Sequence, residues 1–309
     1  MLSLVADVGG TNIRVAIVED GNIIAEQRVE ARLSQHQAKN NRQAESILID
    51  TLSSAFNPLL EQFKPHHIGI GFPGFFAGDT GVLLSSPNIP KIHDFNISEA
   101  IESHTSLPTY VHNDALCAAL GEFHFGVGKQ QQSRDLLHVT LGTGVGAGLI
   151  LNGLPYAGQH GMAMEFGHLY CPAMQGDEVM LCGCGNEGCL ETYASATAIV
   201  KRYFACTQQE ITAKEVAARA QAGDVDAQRI IEHAGAYLGA SLAEFSKLLD
   251  IQHISMSGGL SGAWSQLYPS MQKSLNAQLI PPLRQKISIQ ASQLGDNAGL
   301  LGASLLSSY

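Results

Sequence analysis

Three cysteines stand close together in the 309-residue chain, in the stretch Cys182-Gly-Cys184-Gly-Asn-Glu-Gly-Cys189. Zinc binds four thiolate or imidazole ligands in a tetrahedron, and a glycine-rich turn can bring several cysteines around one ion. The stretch lacks a fourth ligand, for which His168 is the natural candidate. Reduced thiols in the core are the alternative interpretation. The spacing therefore predicts a zinc site.

Two glycine-rich turns each join a pair of apolar strands, at Asp7-Val-Gly-Gly-Thr11 and at Gly142-Thr-Gly-Val-Gly146. A glycine hairpin can aim successive backbone N–H groups at an anion, because no side chain blocks close approach. Thr11 adds a hydroxyl donor, and Asp7 could hold a magnesium ion through water. One such turn is weak evidence for a ligand, but two of them predict a clamp on the phosphates of a nucleotide.

The sequence also contains two matches to the dinucleotide-binding pattern GxGxxG or its GxGxxA variant, at residues 69–74 and 142–147. That fingerprint needs a helix N-terminus for the pyrophosphate, and here the matches run into a loop and an apolar strand. The GxxxxGK[ST] phosphate loop does not occur in the sequence. Both dinucleotide-binding and P-loop folds are therefore excluded.

Carboxylates outside these turns could serve a polar ligand. Asp114, in His112-Asn-Asp114, follows a strand and opens an Ala/Leu-rich helix, so it is either a helix cap or a general base. Glu165 and His168 lie three residues apart in a glycine-rich loop and can reach neighbouring hydroxyls of a ring. An exposed glutamate and a hydrogen-bonded histidine are the plainer alternative, and the residues alone leave both open.

The elements that carry these residues recur in one order, a strand hairpin followed by further α/β structure. Strands are expected over 2–6, 13–18, 23–29, 67–72, 109–111, 136–141, 147–151 and 252–256, and helices over 43–63, 191–205, 212–222, 226–249 and 296–306. Asp296 is expected to cap the last helix. The pattern predicts two similar α/β domains, one formed by residues 1–115 plus about 297–309 and the other by 116–296.

Composition limits the function. Apolar residues make up 45% and charged residues 15%, which is typical of a globular protein, and the net charge of −10 argues against nucleic-acid binding. No stretch reaches the ~18 apolar residues of a membrane span, and the first residues lack the pattern of a signal peptide. We therefore expect a cytoplasmic protein whose six cysteines are thiols or metal ligands, without membrane or nucleic-acid partners.

In combination, these motifs resemble the ROK family of bacterial sugar kinases, within the actin/hexokinase-like superfamily. The resemblance covers essentially the whole chain and rests on both glycine hairpins and on the segments Gly71-Phe-Pro-Gly74, Ser86-Pro-Asn88, Asn113-Asp114-Ala115, Gly158 to His168, Cys182 to Glu191 and Ser257-Gly-Gly259. It implies two actin-like (ribonuclease H-like) domains, each a mixed sheet flanked by helices, with a cleft between them. The implied activity is transfer of the γ-phosphate of MgATP to the 6-hydroxyl of a hexopyranose.

The resemblance also implies a role for each site residue. Asp114 is the base, and the sugar ligands are Gly74, Asn88, Asn113, Asp114, Glu165, His168 and Glu191. The nucleotide ligands are Asp7, Gly9, Gly10, Thr11, Asn12, Gly142, Thr143, Gly144, Gly258 and Gly259. A structural zinc ion is held by His168, Cys182, Cys184 and Cys189, and a homodimer is expected.

Two departures from the family pattern leave alternatives open. The interval between His168 and Cys182 is longer than the family often shows, so Cys171 or His160 could be the fourth zinc ligand. Asn12 stands where many relatives carry lysine, so a charge facing the phosphates is either missing or supplied by Arg14.

The exact sugar is open as well. Glucose or a close relative such as allose is the first choice, with N-acetylglucosamine and fructose as alternatives and N-acetylmannosamine less favoured because Glu165 is present. A sugar-sensing regulator of the same family is the alternative of another class. Such repressors carry an N-terminal helix-turn-helix, for which a hairpin that begins at residue 2 is expected to leave no room.

Overall fold

The computed structural model describes residues 1–35, 38–78, 80–86, 89 and 91–309. Within them the strands are β1 (Leu2–Val8), β2 (Asn12–Glu19), β3 (Asn22–Glu30), β4 (His67–Phe72), β5 (Phe75–Phe76), β6 (Val82–Ser85), β7 (His93–Asn96), β8 (Thr109–Asn113), β9 (Leu136–Leu141), β10 (Val145–Leu151), β11 (Leu154–Pro155), β12 (His253–Ser257) and β13 (Ser288–Ala291). The α-helices are α1 (Asn41–Gln62), α2 (Ile97–Thr105), α3 (Asp114–Phe125), α4 (Val127–Gln130), α5 (Glu191–Ala194), α6 (Ala196–Thr207), α7 (Ala213–Gln221), α8 (Val225–Leu249), α9 (Trp264–Gln278) and α10 (Asn297–Ala303). Short 3-10 helices cover Leu33–Gln35, Phe166–His168, Gly259–Ala263, Pro281–Leu283 and Leu306–Ser308.

The strands form two five-stranded sheets of the same topology, in the spatial orders β3-β2-β1-β4-β8 and β11-β10-β9-β12-β13. In the first sheet β1, β2 and β3 pair antiparallel, whereas β4 lies parallel to both β1 and β8. In the second, β12 lies parallel to β9 and β13. A small third sheet consists of β5, β6 and β7. The predicted α/β class, with mixed sheets flanked by helices, is confirmed.

The chain divides by its contacts into two compact units. The first comprises Met1–Arg134, Gly148–Met164 and Gln293–Tyr309, and the second comprises Asp135–Ala147 and Glu165–Ser292. The first unit extends past the predicted boundary near residue 115 because α3 packs directly on α10. A Cβ atom on Gly121 would lie 2.0 Å from the carbonyl oxygen of Ala298, so the two helix backbones touch.

The central strands of the first sheet lie in a hydrophobic core. The inner residues of β1, β2 and β4 are nearly all buried, which is typical of strands covered on both faces, whereas β3 at the edge shows no fully buried residue. Helix α1 packs a stripe of apolar side chains into this core, namely Ala44, Leu48, Ile49, Leu52, Ala55, Phe56 and Leu59. The ends of β1 and β4 are thereby fixed where the candidate site residues follow.

Two sequence-based expectations about helices are wrong. The helix predicted over 191–205 is interrupted at Ser195, which is extended and whose hydroxyl caps α6 by accepting the Ala198 N–H at 3.1 Å. Asp296 makes no side-chain capping bond, and α10 is shorter than predicted. The carbonyl of Asp296 accepts a hydrogen bond from Arg14 instead, so this residue serves tertiary packing. Among the described residues, no helix has both the length and the apolar character required to cross a membrane.

Candidate functional site

The first glycine turn joins β1 to β2, as predicted, and leads into no helix. The Gly9 N–H donates to the Asn12 carbonyl at 2.9 Å, and the Thr11 carbonyl accepts from the N–H groups of Ala31 and Arg32. Thr11 and Asn12 are exposed, and Gly9 and Gly10 are partly buried. The turn is therefore held by its carbonyls, while its side chains face solvent.

Two carboxylates of the first unit lie at the carboxyl ends of β1 and β8, the strands on either side of β4. Asp7 in β1 pairs with Gly71 in β4, and a Cβ atom on Gly71 would lie 3.6 Å from the Cα of Asp114. Both carboxylates are partly buried. Burial, followed by the charge of Asp114, raises the pKa of Asp7 from 3.8 to about 6. Burial also raises the pKa of Asp114. The site thus concentrates negative charge where a cation or a proton would be taken up.

Asn113, rather than Asp114, is the N-cap of α3. Its side-chain oxygen accepts from the N–H groups of Ala115 and Leu116, at 2.9 and 3.3 Å. The Asp114 carboxylate accepts from the Ala115 N–H at 2.9 Å and belongs to the first helical turn. The alternative that Asp114 is simply a cap is therefore wrong, because its neighbour has that role.

The sugar-binding segments predicted in the first unit lie together. The amide of Asn113 donates to the Gly74 carbonyl at 3.3 Å, and the Ser86 hydroxyl donates to the Pro73 carbonyl at 2.7 Å. These bonds join the Phe-Pro-Gly turn to the start of α3 and to Ser86. Asn88 itself lies outside the described residues.

Arg14, the predicted alternative source of a charge facing the phosphates, is bound by residues of the first unit instead. Its guanidinium donates to Glu26 Oε1 at 2.9 Å, to Asn297 Oδ1 at 2.7 Å and to the Asp296 carbonyl. Its side chain is only 11% exposed. Arg14 therefore ties β2 to α10. Its charge lowers the pKa of Asp7, an effect smaller than those of burial and of Asp114, which raise it.

The second glycine turn joins β9 to β10, again without a following helix. The Gly142 N–H donates to the Gly144 carbonyl at 3.0 Å. The Ser257-Gly258-Gly259 segment lies against the start of this turn, since a Cβ on Gly258 would be 2.4 Å from the Leu141 carbonyl oxygen. The predicted nucleotide residues of the second unit are thus brought together.

His138 ties these two segments together and was not recognised from the sequence. Its ring nitrogens lie 2.8 Å from the Ser255 hydroxyl and 2.9 Å from the Ser257 hydroxyl, joining β9 to β12. Complete burial lowers the pKa of His138 to about 3, so the ring is neutral. A single histidine in an apolar strand gives no signal of such a bridge, because its partners are more than a hundred positions away.

The predicted metal ligands converge in the second unit. One ligand atom each from His168, Cys182, Cys184 and Cys189 lies within 4.8 Å of all the others. The Sγ atoms of Cys184 and Cys189 are 3.6 Å apart, and Cys182 Sγ is 3.6 Å from His168 Nδ1. Ligands around tetrahedral zinc, with Zn–S bonds of about 2.3 Å, stand roughly 3.8 Å apart. Three thiols and one imidazole at these spacings fit zinc.

The structure also decides between the candidates for the fourth ligand. Among the described residues the cluster contains His168, while Cys171 Sγ lies 3.2 Å from the Ser241 hydroxyl and His160 is not a member. The long interval before Cys182 is held by Asp177, which accepts from the Tyr237 hydroxyl at 2.6 Å and from Arg202 at 3.3 Å. This anchorage lets a long loop return to the cluster.

Two carboxylates flank the histidine of the cluster. Glu165 Oε2 lies 3.9 Å from His168 Nε2, and Glu191 Oε1 lies 3.9 Å from His168 Nδ1. Glu191 Oε1 also accepts from Cys182 Sγ at 3.1 Å. The Nδ1 atom thus faces the thiols, and the Nε2 atom faces Glu165. This arrangement allows one imidazole to serve a metal ion and a polar ligand at once.

Comparisons with known proteins identify the family of the chain. The ROK family model matches residues 4–308. The chain is 33% identical to a glucokinase of Halalkalibacterium halodurans, over 97% of this chain and 93% of that protein. A ROK family glucokinase from Streptomyces griseus, solved in complex with glucose and AMPPNP, superposes with a TM-score of 0.82, 30% identity and 99% coverage of both chains. A ROK family transcriptional regulator, a homologue of the E. coli MLC protein, superposes with a TM-score of 0.85 and 27% identity over 99% of this chain and 78% of its own. The chain therefore belongs to the ROK family.

Proposed function

We propose that the protein is a hexose kinase that transfers the γ-phosphoryl group of MgATP to the 6-hydroxyl of glucose or of a close relative such as allose. The hydroxyl oxygen forms the new bond to phosphorus, the bond to the leaving ADP breaks, and Asp114 receives the hydroxyl proton. The observation that carries this proposal is the partly buried carboxylate of Asp114 at the start of α3, beside the sugar-binding segments.

A sugar hydroxyl is too weakly acidic to ionise alone, so its proton leaves late, to a carboxylate within hydrogen-bond reach. Burial raises the pKa of Asp114, and a more basic carboxylate is a better proton acceptor. Asn113 fixes the first turn of α3 and so fixes where that carboxylate stands. The position and the basicity of Asp114 both support its role as the base.

The glycine turns support the nucleotide half of the proposal. The turns at residues 9–11 and 142–144 would cradle the phosphates, with the N–H groups of Thr143 and Gly144 as donors in the second turn, and Gly258 and Gly259 would lie against the adenine or ribose. Asp7 would hold the magnesium ion of MgATP through water, where the cation offsets the burial that raises the pKa of this carboxylate. Most of the acceleration would come from positioning and from neutralising phosphate charge.

The zinc ion would be held by His168, Cys182, Cys184 and Cys189. Its contribution is structural, since four protein ligands leave no open position on a tetrahedral ion. The bound ion would fix the His168 ring, while Glu165, Glu191 and the outer ring nitrogen would accept or donate hydrogen bonds to sugar hydroxyls. We place the reaction in the cytoplasm, where ATP and reduced thiols occur together. A homodimer stays a prediction that sedimentation analysis would test.

The proposal is tested by release of ADP from MgATP with a panel of hexoses and N-acetylhexosamines. We expect activity with glucose or allose, and activity with N-acetylglucosamine or fructose alone would move the assignment to that sugar. In Asp114→Asn the carboxylate becomes a neutral group of the same shape. Its kcat should fall about 10²–10⁴-fold, while binding of the sugar is retained.

Asp50→Asn is the matched control, because Asp50 is exposed on α1 of the same unit. It should leave kcat unchanged. Near-wild-type activity of Asp114→Asn would refute the role of the base. Tight sugar binding by the wild-type protein without ADP release for any sugar would favour the sugar-sensing regulator over the kinase.

A further inference from the structure

The metal centre and the second glycine turn are joined by one short piece of chain, residues 189–197, named here the linking segment. It begins at the metal ligand Cys189 and ends at Thr197, which contacts the turn. We propose that the linking segment couples the two sites, so that metal binding strengthens nucleotide binding and the reverse, with Thr197 as the positioning residue. This inference rests on the proposed function, in which residues 142–144 bind the nucleotide.

The end of the linking segment holds the carbonyls of the glycine turn. The Ala196 N–H donates to the Gly142 carbonyl at 2.9 Å, and the Thr197 hydroxyl donates to the Thr143 carbonyl at 2.7 Å. A carbonyl and the N–H of the next residue share one planar peptide and point in opposite directions. Fixing these two carbonyls therefore fixes the N–H groups of Thr143 and Gly144, which are the donors that an anion would meet.

The middle of the linking segment contacts both sites through one side chain. Glu191 Oε1 accepts from the metal ligand Cys182 at 3.1 Å, as described above. Its other oxygen lies where a side chain at position 144 would begin, since a Cβ there would be 2.6 Å away. The Glu191 carboxylate therefore lies against the turn, and a shift of the metal centre would move it.

The segment is stiff enough to transmit such a shift. Its residues fold as the short helix α5 and the capped start of α6, with the Thr192 N–H bonded to the Cys189 carbonyl at 3.0 Å. Ser195 caps α6 immediately before the two residues that hold the turn. Few backbone torsions therefore remain free between the metal ligand and the glycine turn.

The other side of the metal centre also lies against this hairpin. A Cβ atom on Gly167, next to the ligand His168, would be 2.1 Å from the carbonyl oxygen of Val145, the first residue of β10. The two chain segments that supply the metal ligands thus contact both ends of the turn. An ion that orders these segments also restricts the turn, so the turn loses less conformational entropy when it binds phosphate. Coupling of this kind is reciprocal.

The test uses AMPPNP binding without sugar, measured by calorimetry on the zinc-loaded and the chelator-treated protein. Couplings between sites are typically 5–150-fold, and we expect metal removal to weaken AMPPNP binding about 10-fold. We also expect AMPPNP to slow removal of the metal by a chelator. Equal AMPPNP affinities with and without metal, in protein that keeps its circular dichroism, would overturn the coupling.

Thr197→Val keeps every metal ligand and removes only the hydroxyl that holds the turn. It should retain zinc in the absence of nucleotide and bind AMPPNP about 5-fold more weakly, which is on the order of the lower end of such couplings. AMPPNP should no longer slow the removal of its metal by a chelator. Thr207→Val is the control, because Thr207 lies in the same helix and its hydroxyl bonds the Tyr203 carbonyl of that helix. Wild-type protection in Thr197→Val would refute the inference even if the metal-free protein unfolds.

The same experiment separates this inference from the proposed function. A wild-type protein that binds no AMPPNP would refute the nucleotide site itself. A protein that binds AMPPNP and phosphorylates a sugar, but shows neither effect, would refute only the coupling.

Discussion

Replacing Asp7 with asparagine should stabilise the ligand-free protein while abolishing phosphoryl transfer. Burial and the charge of Asp114 raise the pKa of Asp7 from 3.8 to about 6, so the ionised group is less stable in the folded protein than in the unfolded chain. Each pKa unit corresponds to about 1.4 kcal/mol, and the shift therefore amounts to about 3 kcal/mol. Asparagine has nearly the same shape without the charge.

The size of this stabilisation depends on pH in a defined way. A carboxylate whose pKa is raised by folding favours the folded state below its unfolded pKa of 3.8, and this advantage is lost as the pH rises through about 6. Asp7→Asn should therefore exceed the wild type in free energy of unfolding by about 3 kcal/mol at pH 7.5 and by about 1 kcal/mol at pH 4.5. The two proteins should approach each other at lower pH.

Urea unfolding at both pH values measures this difference, with Asp50→Asn as the exposed control that should show none. MgAMPPNP should then reverse the order of stability, because the wild type gains a cation ligand at Asp7 that the variant lacks. A variant no more stable than the wild type at pH 7.5 would show that the charge of Asp7 is compensated within the ligand-free protein. The assignment of Asp7 to the cation of MgATP would then lose its physical basis.

Two further predictions concern the second unit. Burial lowers the pKa of His138 to about 3, so the free energy of unfolding of the wild type should fall by up to about 3 kcal/mol through this residue as the pH falls from 6.5 to 4. A plot of the free energy of unfolding against pH should therefore be flatter in His138→Gln. An equal slope in both proteins would contradict the neutral bridge. Cys184→Ser removes one of four ligands, so the zinc content of purified, dialysed protein should fall from about one ion per chain to near zero. Cys206→Ser is the control and should leave the zinc content unchanged, because Cys206 is exposed and lies outside the cluster. Retention of zinc by Cys184→Ser would mean that the metal does not need this thiol.

Much of the fold could be predicted because its signals are local. Apolar runs bounded by glycine turns placed the strands before and after both turns within about two residues, and the spacing of three cysteines predicted the cluster in which they meet. The two matches to the dinucleotide fingerprint, at residues 69–74 and 142–147, were also rejected correctly, since β5 and β10 occur where a helix would be required. In each case the deciding information lies within about ten consecutive residues.

The errors and omissions concern long-range partners. Asp296 has the sequence of a cap, but its carbonyl bonds Arg14, 282 positions earlier. The same Arg14 seemed available for phosphate and is instead enclosed by Glu26 and Asn297. No short window of sequence contains both Arg14 and its partners at positions 296 and 297. The prediction therefore rests on local residue preferences, whereas tertiary contacts determine the structure.

The carboxylates of the first unit also bear on the choice between a kinase and a sugar-sensing regulator. Glucokinase and regulator relatives superpose on this chain about equally well, so the fold does not separate the two functions. Binding sugar hydroxyls requires hydrogen-bond acceptors, which under the proposed function are Glu165 and Glu191 of the second unit. Asp7 adds a buried charge that costs about 3 kcal/mol at neutral pH and lies beside a second carboxylate. A protein that only senses sugar gains nothing from that cost, whereas a kinase needs one carboxylate for the cation of MgATP and the other for the proton of the hydroxyl. The buried pair, more than the fold, therefore favours phosphoryl transfer.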